Sequence, residues 1–439
     1  MRFKPGLPKR LHHLLPVQKL IIPLFTLLLI TGPHYQVTGQ TSFSQNGSST
    51  ELSMERMERL TSFFDEYVEQ ERLAGGVIWV SKGDEVYHHA FGSRDREAGD
   101  PMETEDMFRI ASQTKALISV GIMILQEQGQ LLIGDPLSRY LPEFSDLKVA
   151  VPEEGSSGGY TLVDARRPVT LRHLLTHTSG FDYGSGIASD QWEEAGIQGW
   201  YFADREEPVR ETVARMADLP LQHHPGEKYT YGYSTDILGA VIEAVTGESL
   251  DSWLKRELLD PLQMNDTHFY VPQSKADRLA TVYSVAGNGI ERAPDPGGSV
   301  GQGHYLNGPR TSFSGGAGLV STAADYARFL QMLLNGGELD GERILSPKSV
   351  ELMTVDHLAD IPYRSGQGFG LGFFTVDDVG ARGVPGSVGE FGWGGAYHST
   401  YWVDPREDLV VVFLTQLIPA TGSDIHGKVR TLIYQAIVN

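Results

Sequence analysis

The chain has 439 residues, and its 56 acidic against 36 basic side chains give a formal net charge of −20, so its surface repels nucleic acid and offers no basic footprint for a polyanion. It contains no cysteine, which excludes disulfides, thiolate chemistry and lipidation at a cysteine.

In chain order, Arg2, Lys4, Lys9, Arg10 and Lys19 come first with no acid among them, then an apolar run over residues 20–30, then Val37-Thr38-Gly39. A basic region, a short apolar core and a small residue predict a signal peptide over residues 1–39 and a secreted or periplasmic protein. The apolar run is short and interrupted by Pro23, so membrane contact is expected only if that segment stays uncleaved. Without those cations the net charge is −25, which reads as solubility. Residues 40–50, QTSFSQNGSST, form a polar linker. Residues 51–439 hold no second linker and no internal repeat, which points to one large domain or two interleaved lobes.

A helix over 53–72 leads into strands over 76–81 and 85–91, joined by the turn Lys82-Gly83-Asp84. The stretch 108–130, FRIASQTKALISVGIMILQEQGQ, is apolar on all sides between Leu117 and Leu125, so it predicts a buried helix. A Gly/Ser-rich excursion over 152–159 precedes PVTLRHLLTHTSGF, which ends at Phe181. Helices are expected near 206–216, 235–246, 250–259 and 323–335, with irregular Gly/Pro-rich chain over 286–318. Strands over 396–404 and 409–416 come before a final helix. Strands at both ends with helices between predict an α/β (α+β) fold: one antiparallel sheet built from the two chain ends, flanked by helices, with an inserted, mostly helical lobe.

Chemistry is concentrated at the head of the buried helix. Ser112 and Lys115 stand i, i+3 on one face, where a lysine amine can take the proton that keeps a serine hydroxyl a poor nucleophile. Burial disfavours the charged amine, and the helix N-terminus supplies unpaired backbone N–H groups for an oxyanion. The pattern S-x-x-K also occurs at Ser145/Lys148, in a polar loop, and at Ser252/Lys255, on the solvated side of a helix whose apolar side is Leu250, Trp253, Leu254 and Leu258. Only the Ser112 pair lies in apolar sequence. Gly297-Gly298-Ser299-Val300-Gly301 matches the nucleophile elbow, but Pro294 and Pro296 beside it oppose the strand-to-helix turn that motif needs.

Residues 225–239, PGEKYTYGYSTDILG, set three tyrosines before an apolar helix, and a phenol beside a lysine can carry the serine proton to a leaving group. Residues 391–405, FGWGGAYHSTYWVDP, open a strand with Trp393-Gly394-Gly395, where glycines permit close approach of substrate or backbone. His173 and His177 have a zinc-compatible i, i+4 spacing, yet no Glu follows His173 and no third ligand is evident, so both read as structural.

These motifs, FRIASQTK, VTLRHLLTHTSGF, PGEKYTYGYSTDILG, GGAGLVSTAADYARF from Gly315 and WGGAYHSTYWVDP, occur in that order over about residues 55–437. Together they resemble the serine β-lactamase and penicillin-binding-protein superfamily, in the branch shared by class C β-lactamases, D-alanyl peptidases and β-lactamase-like carboxylesterases. The resemblance implies Ser112 as the acylated nucleophile and Lys115 as its partner. Alignment through Pro225-Gly226 and Asp236 to Gly239 puts the family tyrosine on Tyr231 and its asparagine position on Tyr233; Tyr305-Leu306-Asn307 matches Tyr-x-Asn more strictly but lacks the flanking pattern. Where the family carries Lys-Thr-Gly or His-x-Gly, this chain has Trp393-Gly394-Gly395. An indole and a phenol replace groups that help lactamases and peptidases bind a substrate's carboxylate and amide side chain. That departure resembles the carboxylesterase branch, and an apolar rim suits neutral acyl esters.

The resemblance therefore implies a serine hydrolase, a carboxylesterase acting through Ser112, Lys115 and Tyr231, and the N-terminal signal predicts that it is secreted. The backbone N–H groups of Ser112 and Ala396 would hold the oxyanion, and Trp393, Gly394, Gly395 and Tyr233 would meet a small-molecule ester or amide. No metal or other cofactor is expected. A β-lactamase, a D-alanyl-D-alanine carboxypeptidase or D-aminopeptidase, and a non-catalytic binding relative remain the competing readings.

Overall fold

Both ends of the chain enter one antiparallel sheet. Its strands are β1 (Thr41–Ser44), β2 (Gly75–Lys82), β3 (Glu85–Asp95), β4 (Gln367–Phe369), β5 (Phe374–Val376), β6 (Phe391–Gly395), β7 (Ser399–Asp404) and β8 (Leu409–Thr415). They lie side by side in the order β1-β3-β2-β8-β7-β6-β5-β4, with the two-residue strand Asp100–Pro101 on the outer part of β3. Leu409 faces Lys82 and Thr415 faces Gly76, so the last strand is bonded to the first hairpin. The computed structural model describes residues 41–44, 52–153, 155 and 159–438. The expected signal at 1–39 lies outside the described residues.

The sheet is covered on both faces, which is why β8 reads LVVVFLT without alternation of polarity. Period-2 geometry sends Val410, Val412 and Leu414 to one core and Leu409, Val411 and Phe413 to the other. On the second face lie α1 (Met54–Glu69), whose buried residues are Met57, Leu60, Phe64 and Tyr67, and the closing helix, Ile425–Tyr434. Ser53 caps α1 through a hydroxyl that accepts from the Arg56 N–H. Phe64 stacks on Phe91 at 4.0 Å and on Phe413 at 5.7 Å between ring centroids.

The first face carries the inserted helical lobe. Its centre is α2 (Thr114–Glu127), buried without a break from Thr114 to Leu125 and packed against α3 (Ser234–Thr246). A third long helix, α4 (Ala323–Leu334), lies on β8. Among the described residues no helix is long and apolar enough to cross a membrane.

Several expectations are corrected. Within the supposed linker, residues 41–44 pair with β3, Thr41 opposite His89, because a free sheet edge recruits backbone and does not require apolar side chains. The helix over 250–259 is an α-helix only over Leu250–Leu254 and continues as a π turn, Lys255–Leu259. Lys148 opens a strand, Lys148–Pro152, hydrogen-bonded to Tyr160–Asp164, where loop was expected. His173 and His177 do not share a helix, since Leu171–Leu175 ends first and His177 has φ +53°.

Candidate active site

Ser112 owes its position to a short strand that stops abruptly. Phe108–Arg109 pairs with Val320–Ser321, and the Ile110 N–H donates to the Leu319 carbonyl at 3.0 Å. Ala111 then adopts φ +43°, a left-handed conformation that a residue with a Cβ holds only under constraint. The 3-10 turn Ala111–Gln113 carries Ser112 to a half-buried position and leads straight into α2. Around it, the Tyr326 hydroxyl donates to the Gln113 carbonyl at 2.9 Å, and the Leu319 N–H donates to Thr114 Oγ1 at 3.1 Å.

One turn on, Lys115 is buried, 2% exposed. Its Nζ donates to the Gly316 carbonyl at 2.7 Å and to the Tyr183 hydroxyl at 3.0 Å. The same residue, Gly316, donates its N–H to Asp236 Oδ1 at 2.9 Å, and Ser314 Oγ donates to that oxygen at 2.6 Å. The two peptide groups that meet at Gly316 thus link the buried Lys115 amine to a buried carboxyl. Burial pushes the Asp236 carboxyl above its ordinary range, while the Lys115 charge and these donors oppose the rise.

Two phenols flank the lysine. The Tyr231 ring faces Nζ at 4.7 Å from its centroid, and its hydroxyl accepts from Trp393 Nε1 at 3.1 Å. Tyr183 meets Tyr231 edge-on at 5.8 Å, and burial, then the neighbouring Tyr231, holds its hydroxyl well above the usual phenol range. His177 lies 4.7 Å from the Tyr231 ring, kept neutral by burial and by the charge of Lys115, and its carbonyl accepts from the Thr230 N–H at 2.7 Å.

The third wall is β6. A Cβ added at Gly395 would stand 2.5 Å from the Ile110 carbonyl oxygen, so only glycine lets the strand lie this close to the serine turn. Ala396 follows in the tight turn closed by the His398 N–H on the Gly395 carbonyl at 3.1 Å. Among the described residues, neither the Ser112 nor the Ala396 N–H is bonded to another backbone group. Trp393 and Gly394 sit beside them, half-buried.

Ser112, Lys115, Tyr231, Trp393, Gly394, Gly395 and Ala396 therefore converge. Tyr233 does not, which corrects its assignment to substrate binding. It is fully buried behind Tyr183, whose ring it meets edge-on at 5.0 Å, donates its hydroxyl to the Gly199 carbonyl at 2.8 Å and stacks on Trp192 and Phe202. Tyr305 is also buried, beside the Arg109 guanidinium. Ser299 lies in a 3-10 turn, Gly298–Val300, and not in a strand-to-helix elbow. His173 Nδ1 accepts from the Thr170 N–H as part of a capping box. Tyr183 is the residue that sequence reasoning passed over, although it stands two places beyond Phe181, where the VTLRHLLTHTSGF motif ends.

A family model described as Beta-lactamase matches residues 60–433. Esterase EstB of Burkholderia gladioli is 32% identical over 377 residues, covering 81% of this chain and 89% of EstB. Lovastatin esterase of Penicillium rubens is 28% identical over 404 residues, covering 84% of this chain and 94% of its own. Among solved structures, EstCE1, a hydrolase with promiscuous acyltransferase activity, superposes with a TM-score of 0.73 at 28% identity, covering 86% of this chain and 98% of EstCE1.

Proposed function

Since this chain belongs to the β-lactamase family and is a serine hydrolase, we propose that it is a carboxylesterase whose acyl-enzyme forms on Ser112. The observation that carries the reading is the pairing of Trp393 with Tyr231 against the Lys115 site, an apolar indole wall where a lactamase would need a cation.

Lys115 and Tyr231 draw the proton from Ser112 Oγ, which attacks the ester carbonyl carbon. The resulting oxyanion is received by the N–H groups of Ser112 and Ala396, each such donor contributing roughly 3 to 4 kcal/mol to barrier lowering. Collapse breaks the bond to the leaving alcohol, which takes the proton back from Tyr231, and water later releases the acid by the reverse route. Tyr183, its hydroxyl engaged by Lys115, fixes the direction of the amine.

Side-by-side assays with a short-chain p-nitrophenyl ester, a chromogenic cephalosporin and a D-Ala-D-Ala peptide test the proposal. Expected is turnover of the ester in preference to the other two, with kcat reduced on the order of 10⁴-fold or more in Ser112→Ala. Unaltered esterase activity in that variant would refute the site. Export is part of the same reading, supported by the basic and apolar segments of residues 1–39. N-terminal sequencing of protein recovered from outside the cytoplasm checks it, with a start near residue 40 expected.

A further inference from the structure

Arg364 lies just before β4 and is exposed. Its guanidinium carbon stands 5.5 Å from the Trp393 ring centroid and 5.4 Å from that of Tyr363. It forms no ion pair and no side-chain hydrogen bond among the described residues, in a chain whose net charge is −20. A guanidinium held over two rings and engaged by no carboxylate keeps its N–H groups free for a planar anion, which it can bind through two parallel bonds. Lys115 cannot serve there, because it is buried and committed to Gly316 and Tyr183.

We propose that Arg364 selects the substrate: the preferred esters carry a carboxylate at the far end of a short apolar acyl or alcohol part. This inference rests on the esterase reading of Ser112. The hydrocarbon stem lies along Trp393, and the guanidinium over that ring receives the anion. The cation missing from the third family motif is thereby supplied from another loop, displaced from the reacting carbonyl by the width of the indole. In a strongly acidic protein an anionic substrate is otherwise repelled, so one local cation at the mouth of the cleft decides whether it enters.

The test compares p-nitrophenyl hemisuccinate, which carries the anion, with p-nitrophenyl butyrate, a neutral ester of equal chain length. It uses the full-length protein and its Arg364→Ala and Arg364→Lys variants. The ratio of kcat/KM, anionic over neutral, should fall about tenfold in Arg364→Ala, mainly through KM, and be partly restored in Arg364→Lys. Raising salt should lower the ratio in the wild type and leave it unmoved in Arg364→Ala. A ratio indifferent to Arg364, including a proportionate fall for both esters, overturns the proposal and leaves Arg364 as a brace for Trp393. Turnover of neither ester by the wild type overturns the esterase reading and this inference together.

Discussion

At the scale of single residues, the proposed mechanism divides the acid–base work unequally between the lysine and the two phenols. Tyr183 accepts a hydrogen bond from Lys115 and is held protonated by burial, which makes it a support for the amine and a poor proton acceptor. Tyr231 presents its ring to the same amine and its hydroxyl to Trp393 Nε1. Tyr231→Phe should therefore reduce kcat on a p-nitrophenyl ester by about 10² to 10⁴, the usual contribution of a general acid–base group. Tyr183→Phe leaves the buried Lys115 amine short of one partner, so it should lower the melting temperature, the lost partner costing roughly 1 to 3 kcal/mol, and reduce kcat less than Tyr231→Phe does. A larger kcat loss in Tyr183→Phe would exchange the two roles. That Lys115 and Tyr231 lie side by side next to Ser112 was legible in the sequence because their flanking motifs are long. Sequence alone misassigned Tyr233, because a two-residue offset at the entry to a helix turns a side chain from cleft to core, and no spacing rule reports that turn.

At the scale of elements, the proposed oxyanion site depends on two backbones in contact, the 3-10 turn Ala111–Gln113 and the end of β6. The buried helix α2 was legible because an all-apolar run is a strong signal, and β8 was legible for the same reason. Strands β4 and β5 were not, since three residues apiece cannot establish a period, and their place depends on partners far away in sequence. The left-handed Ala111 was equally invisible, being imposed by the strand before it and the helix after it. Gly395→Ala tests the contact directly. Its Cβ would collide with the Ile110 carbonyl oxygen, backbone that cannot rotate aside, so β6 must move from the serine turn by a fraction of an ångström or more. We expect kcat/KM for ester to fall by about 10²-fold, the cost of misplacing an oxyanion donor, with far-ultraviolet circular dichroism retained. Gly134→Ala, which meets nothing within 4 Å, serves as the control and should retain wild-type rates. Retained activity in Gly395→Ala would show that Ala396 takes no part in holding the oxyanion.

For the whole molecule, the meeting of the chain ends in one sheet was legible from strands at both termini, and the price of closing that sheet over two cores is the burial of titratable side chains. His88 and His89 on β3, His173 and His268 in the lobe, and His398 beside β6 are all held below the ordinary histidine value by burial, the first four to about 4 and His398 to about 3. In the unfolded chain each titrates near 6.5, so between that pH and about 4 the unfolded state binds more protons and stability falls as pH falls. Asp106 and Asp325 act in the opposite sense. Burial raises both to about 6 from an unfolded value of 3.8, so the folded state binds the extra protons and gains stability across that interval. His177 and His426, also lowered by burial, join the five histidines, and Asp236 and Glu390, raised by burial, join the two carboxyls, so the histidines outnumber the carboxyls and govern from 6.5 downward, each unmatched proton being worth about 1.4 kcal/mol per pH unit. Thermal unfolding at fixed ionic strength should accordingly show a level melting temperature above pH 7 and a steady decline from pH 6.5 to pH 4.5. The sign is diagnostic: a melting temperature that rises over that interval would mean that the raised carboxyls, and not the buried histidines, govern the acid limb of stability.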